Sequence, residues 1–141
     1  MYRTILVPLE NSAADEAILS HIRSLAKLLG SKLVLIHVAD GHVARNQSQL
    51  NLEDSEEMRV DRAYLERRTA ELSGDGYQVS WKLAAGDPAR EITQAAEREG
   101  ADLIAMSTHG HRLVMDVLLG SVASEVRHRS RVPVLLVRAS A

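Results

Sequence analysis

Two glycines and a serine carry the most legible chemistry in this chain. The segment Ser107-Thr108-His109-Gly110-His111-Arg112 is followed, with nine residues between Gly110 and Gly120, by Gly120-Ser121. Glycine lets a backbone approach an anion closely and adopt positive φ. If a helix opens at about Ser121, its free N–H groups and its dipole face that anion. The Ser121 hydroxyl adds a hydrogen bond, and Arg112 between the glycines reaches a phosphate. A second reading of the same residues needs no ligand: Gly110 serves a turn and Ser121 caps a helix. The local pattern leaves both open.

Other reactive residues are weaker. His109 and His111 would need a third ligand, Asp116 or Glu10, to hold a metal; the simpler reading is imidazoles beside a phosphate. His37 lies inside an apolar strand and reads as a satisfied buried or strand-end histidine. His128 sits among Arg127, Arg129 and Arg131 at a helix C-terminus, where cations suit the dipole. Ser121, His109 and Asp116 do not make a hydrolase site, because no G-x-S-x-G elbow is present. No catalytic residue and no metal ligand is assigned. The phosphate loops of P-loop NTPases and of dinucleotide folds are both missing: there is no Gly-Lys-Ser/Thr, and the first strand leads into Asn11-Ser12-Ala13-Ala14 without G-x-G-x-x-G.

The elements that must position these residues follow from the apolar pattern. Thr4–Val7, Lys32–Val38, Asp102–Ser107 and Val132–Val137 are short, nearly continuous aliphatic runs, the habit of parallel strands covered on both faces. Tyr77–Leu83 alternates and reads as an edge strand. Helical spacing runs from Ala14 to Leu29, where Ile18, Ile22, Leu25 and Leu29 recur and Gly30 stops the helix. It recurs from Glu53 to Leu72, with Met58, Ala63, Tyr64 and Leu72 inward. A third helix opens at Asp87-Pro88 with Ile92, Ala95 and Ala96 inward, and a fourth spans about Ser121–Arg129 with Val122 and Val126 on one face. The charges from Glu53 to Arg68 read as a solvated helix face. Strands alternating with helices give one α/β domain over residues 1–141, a five-stranded doubly wound parallel sheet with helices on both faces; the pattern allows the order 2-1-3-4-5 or its relative 3-2-1-4-5, and the second is the one expected. Its ligand crevice lies at the carboxyl ends of the strands. Pro8-Leu9-Glu10, Val38-Ala39-Asp40 and the segment from Ser107 arrive there.

Composition narrows the function. The chain has 141 residues, a net charge of −2 and no Cys, which excludes a disulfide framework, a zinc–thiolate site and a cysteine nucleophile. The charge balance leaves no footprint for nucleic acid or an anionic membrane. Phe is absent and aromatics make up 3%, so there is no base-stacking platform. No signal peptide or membrane span is expected, and a cytoplasmic location is.

The segment Ser107-x2-Gly110-x9-Gly120-Ser121 resembles the nucleotide signature of the universal stress protein family, G-x2-G-x9-G-S/T. The resemblance extends in order through Ile5-Leu6-Val7-Pro8, Lys32–Val38, Gly86-Asp87-Pro88, Ala101–Ile104 and Val132–Val137. It implies a stress-response or regulatory module that binds ATP or AMP, with Mg²⁺ accompanying ATP. It places Pro8, Leu9 and Glu10 along the ribose and adenine, the main chain of Val38 on adenine, and Met106 and Ser107 beside the ribose. Gly110, Gly120, Ser121 and Val122 would hold the phosphates. It also implies a homodimer through Val132–Val137. Two positions depart from the pattern: Ser107 stands for the first glycine, and Glu10 for an aspartate. A nucleotide-free dimerising protein and a slow Mg²⁺-dependent ATPase are the alternative readings.

Overall fold

The computed structural model describes residues 1–40, 56–108 and 113–139. Five parallel strands, β1 (Thr4–Pro8), β2 (Lys32–Asp40), β3 (Val79–Gly86), β4 (Leu103–Thr108) and β5 (Val134–Arg138), form one sheet of order β3-β2-β1-β4-β5. The helices of the described residues are α1 (Ala14–Leu29), α2 (Glu56–Gly74), α3 (Pro88–Glu99) and α4 (Leu113–Arg129). Of the two doubly wound orders that the alternating pattern allows, the expected 3-2-1-4-5 is the one observed. Among the described residues, no helix is long and apolar enough to cross a membrane.

Alternate residues of the central strands feed two cores. Ile5, Val7, Leu33, Leu35, Leu103 and Ala105 meet Ile18, Leu19 and Ile22 of α1 and Tyr64, Leu65 and Leu72 of α2. On the other face Leu6, Val34, Ile36, Ile104 and Met106 meet Ala89, Ile92, Ala95 and Ala96 of α3 and Ala123 and Val126 of α4. Each large aliphatic side chain so buried contributes about 1.5–3 kcal/mol. Small residues on α3 let that helix lie close to the sheet.

Glycines end two helices where left-handed backbone is required. Gly30 (φ 69°) and Gly100 (φ 66°) close α1 and α3, and each N–H returns to the last turn. Asp87 caps α3 by accepting the Arg90 N–H at 3.0 Å. At the amino end of the sheet, Asp102 accepts the N–H groups of Arg3 and Thr4 at 3.0 and 3.1 Å. Burial acts to raise this carboxyl, but the backbone N–H groups of Arg3 and Thr4 outweigh it and hold it below its ordinary range.

Several expectations need correction. α4 begins at Leu113, not near Ser121. Leu113 to Leu119 has no helix breaker, so Gly120 and Ser121 fall inside the helix. β5 begins at Val134, because Pro133 has no N–H to give the ladder. Ala63 and Leu29 are exposed. The inward stripe of α1 is Ala14, Asp15, Ile18, Leu19, Ile22 and Ala26. On α2, Asp61 is buried rather than part of a solvated face.

Candidate functional site

The strand order reverses between β1 and β4, and the crevice above this switch is where open α/β sheets take ligands. A cavity of about 500 Å³ lies there. Its walls come from the ends of three strands and the starts of their following segments. β1 supplies Pro8, Leu9 and Glu10; β2 supplies Ile36, His37 and Val38; β4 supplies Met106 and Ser107. Asp87, Pro88, Ala89 and Ile92 of the α3 start, with Ser121, Val122 and Glu125 of α4, complete it.

Pro8, Leu9, Glu10, Val38, Met106, Ser107, Ser121 and Val122, singled out by sequence, therefore line one cavity. Gly110 and Arg112 lie outside the described residues, as do His109 and His111. Gly120 lies within α4. Ala89, Ile92 and Glu125 carry no sequence motif of their own, and Asp87-Pro88 marks a helix start within the family resemblance without showing that it faces the crevice.

Main-chain geometry opens the β2 end toward a ligand. β1 pairs with β2 as far as Pro8 opposite Ile36, and the Leu9 N–H donates to the Ile36 carbonyl at 2.7 Å. Residues two apart on a strand point their main-chain groups the same way. The N–H and C=O of Val38 thus face the β1 side, beyond the last β1 partner.

On the α1–α2 side of the sheet, a polar network holds Glu10 and His37 of the cavity wall. The Asp15 carboxylate, 0% exposed, accepts the N–H groups of Glu10 (3.0 Å), Asn11 (2.9 Å) and Ser12 (3.4 Å) and the Tyr64 hydroxyl (2.5 Å). Arg68 Nε donates to the Tyr64 oxygen at 3.2 Å, and its guanidinium pairs with Glu16. Asp61 accepts from Asn11 Nδ2 at 3.2 Å and sits 3.1 Å from His37 Nε2. His37 Nδ1 lies 2.7 Å from the Leu9 carbonyl, where it must be the donor. His37 is the satisfied strand histidine its position implied, and both ring nitrogens are engaged. The Ser12 hydroxyl donates to Glu10 Oε2 at 3.1 Å and orients that carboxylate at the cavity rim.

Burial, then the hydrogen bond to Asp15 and its charge, push the Tyr64 hydroxyl far above its ordinary range, against the opposing pull of Arg68. Burial alone would lower Arg68, but its bonds to Glu16 and Tyr64 prevail and raise it. Both groups keep their protons, so Tyr64 remains a donor to Asp15.

This architecture has known counterparts. The family model of the universal stress protein family matches residues 1–138. Universal stress protein MJ0577 of Methanocaldococcus jannaschii is 30% identical over 98% of this chain and 96% of its own length. The solved MJ0577 structure superposes with a TM-score of 0.82 at 31% identity, covering 100% of this chain and 99% of that one. Two more distant structures share the fold. A universal stress protein from Archaeoglobus fulgidus, solved in complex with dAMP, has a TM-score of 0.72 at 19% identity, covering 96% and 98% of the two chains. A universal stress protein solved in complex with cAMP has a TM-score of 0.71 at 21% identity, covering 99% and 98%. With the signature spacing, the sheet order and a family match that runs nearly end to end, the chain belongs to the universal stress protein family.

Proposed function

We propose that this chain binds an adenine nucleotide, ATP or AMP, in the crevice above β1 and β4 and acts as a stress-response or regulatory module. The observation that carries the reading is the single cavity of about 500 Å³ lined by Pro8, Glu10, Val38, Met106, Ser107, Ser121 and Val122 together. That volume suits a nucleoside-sized ligand. The dAMP and cAMP complexes of similarly folded proteins support the ligand class. In this reading the outward N–H and C=O of Val38 meet the acceptor and donor on the edge of adenine, and Glu10 accepts from the ribose hydroxyls. The phosphates lie toward Ser121 and Val122, with Mg²⁺ screening ATP from Glu10, Asp87 and Glu125, the formally charged side chains of the described lining. His37 offers no free ring nitrogen to act as a base. We place binding, not turnover, as the activity.

Glu10 gives the test. A carboxylate accepting from hydroxyls contributes about 1.5–3 kcal/mol. Glu10→Ala is expected to weaken AMP binding about tenfold or more in calorimetry, and to narrow the preference for AMP over 2′-deoxy-AMP. Equal affinities for wild type and variant with both ligands would remove Glu10 from the site.

The assembly expected from the last strand is a proposal of the same kind. β5 is a sheet edge, and Leu136 is 40% exposed on it. Apolar edges of this sort pair unless covered. Leu136→Lys is expected to shift a homodimer toward monomer in sedimentation at micromolar concentration. A wild-type chain that sediments as a monomer there would contradict pairing through β5.

A further inference from the structure

Two acceptors bracket the His37 ring. Nδ1 lies 2.7 Å from the Leu9 carbonyl, and Nε2 lies 3.1 Å from Asp61 Oδ2. A carbonyl has no hydrogen to give, nor has a carboxylate, and a neutral imidazole carries one N–H. With that N–H on Nδ1, the Nε2 lone pair would face a carboxylate oxygen. With it on Nε2, the Nδ1 lone pair would face the Leu9 carbonyl. Both contacts are attractive together when the ring carries both protons. The other Asp61 oxygen accepts Asn11 Nδ2 at 3.2 Å, so Asp61 acts as an acceptor on both sides. The His37 and Asp61 side chains are 15% and 7% exposed, so little solvent screens a mismatch between them.

We propose that His37 and Asp61 form a buried proton-binding site, an imidazolium against a carboxylate, and that the bound proton fastens the turn after β1 to β2 and α2. Leu9 follows β1, His37 lies on β2 and Asp61 on α2, so three elements meet at one ring. Leu9 and His37 are residues of the crevice wall, and the fastening acts on that wall whether or not a ligand is bound. Asp61 extends it to Asn11, whose backbone is left-handed (φ 61°). Without the second proton, one ring contact becomes a lone pair against a lone pair, and the ring must release Leu9 or Asp61.

The charged groups of the neighbouring elements suit a cation here. The turn carries Glu10, and the Asp15 carboxylate of α1 accepts the amides of Glu10 and Asn11. With Asp61 these make three carboxylates around the turn, and negative charge favours the protonated ring. Arg62 follows Asp61 along α2. On β3 the register partner of His37 is Leu83, and the adjacent Lys82 pairs with Glu99.

Nitrogen spectra of the His37 ring in the full wild-type chain, without ligand, test the site. Near neutral pH both ring nitrogens should be protonated, and a ring with one bare nitrogen would overturn the site. The amides of Glu10 and Asn11 should shift with the same midpoint as the ring when it gives up its second proton. Amides that ignore that step would overturn the fastening.

Asp61→Asn supplies a contrast of sign. Its amide can donate to Nε2 while its carbonyl still accepts Asn11, so the ring becomes neutral with its N–H on Nδ1. An unfolded histidine takes up its proton near the ordinary value of about 6.5. A folded ring that keeps its proton makes the wild type lose stability as pH rises above that value, by up to about tenfold in the folding equilibrium per pH unit. A neutral folded ring makes Asp61→Asn lose stability as pH falls below it. Urea unfolding at a series of pH values below the range in which Tyr64 titrates reads both slopes. Equal profiles for the two proteins would overturn the proton site. Should the variant fail to fold, the ring and amide spectra of the wild type decide alone.

Discussion

Val122→Trp is expected to lower adenine-nucleotide affinity at least a hundredfold, about 2.7 kcal/mol, while the circular dichroism spectrum stays native. Val122 is half-buried on α4, lines the cavity, and packs beside the core formed by Ala123 and Val126. An indole there projects into a cavity of about 500 Å³ and takes the volume a nucleoside needs. The helix tolerates the change, because tryptophan is an ordinary helix residue. Val60→Trp is the control. Val60 is 51% exposed on α2 and takes no part in the cavity, so its affinity should match the wild type. Calorimetry on the three proteins checks the prediction. Equal binding by Val122→Trp would move the ligand out of this crevice.

The second large effect is on stability. Asp15→Ala should cost about 3–5 kcal/mol in urea unfolding, the usual result of removing one partner from a buried charged network. It leaves three backbone donors and the Tyr64 hydroxyl without their acceptor. Tyr64→Phe removes only one donor and should cost about 1–3 kcal/mol. The two differ again at high pH. The folded-state pKa of Tyr64 lies far above its ordinary value near 10, so its stabilising contribution is complete below that value. It then declines as pH rises through the alkaline range toward the folded-state pKa. Wild-type stability should therefore show an alkaline slope that Tyr64→Phe lacks. Identical slopes would show that the tyrosine hydroxyl is not held as described.

The sequence was most informative where one element carries its own signal. Lys32–Val38 and Asp102–Ser107 read as covered parallel strands because both faces are aliphatic, and both faces are covered. The bounds of α1 followed from spacing and from Gly30. Most of the cavity wall followed from strand ends, which the topology places together. The start of α4 did not, because a glycine-serine pair reads as a helix start, whereas an uninterrupted run from Leu113 overrides it. The buried network was also hidden. A carboxylate on a helix reads as solvent-facing, and nothing near Asp15 or Asp61 in sequence announces a partner. Their partners, Tyr64 and Asn11, lie 49 and 50 residues away. Only the fold brings α2 against the turn after β1, and only then do Tyr64 and Asp61 join the local bonds between Asp15 and the amides of that turn.

The crevice above β1 and β4 is proposed to take an adenine nucleotide. Titration calorimetry of the wild-type chain, refolded to remove any co-purified ligand, with AMP and with ATP in the presence and absence of Mg²⁺ tests it most directly. Saturable binding of one nucleotide per chain is expected, with Mg²⁺ strengthening ATP but not AMP. No saturable heat with any of these nucleotides at millimolar concentration would contradict it.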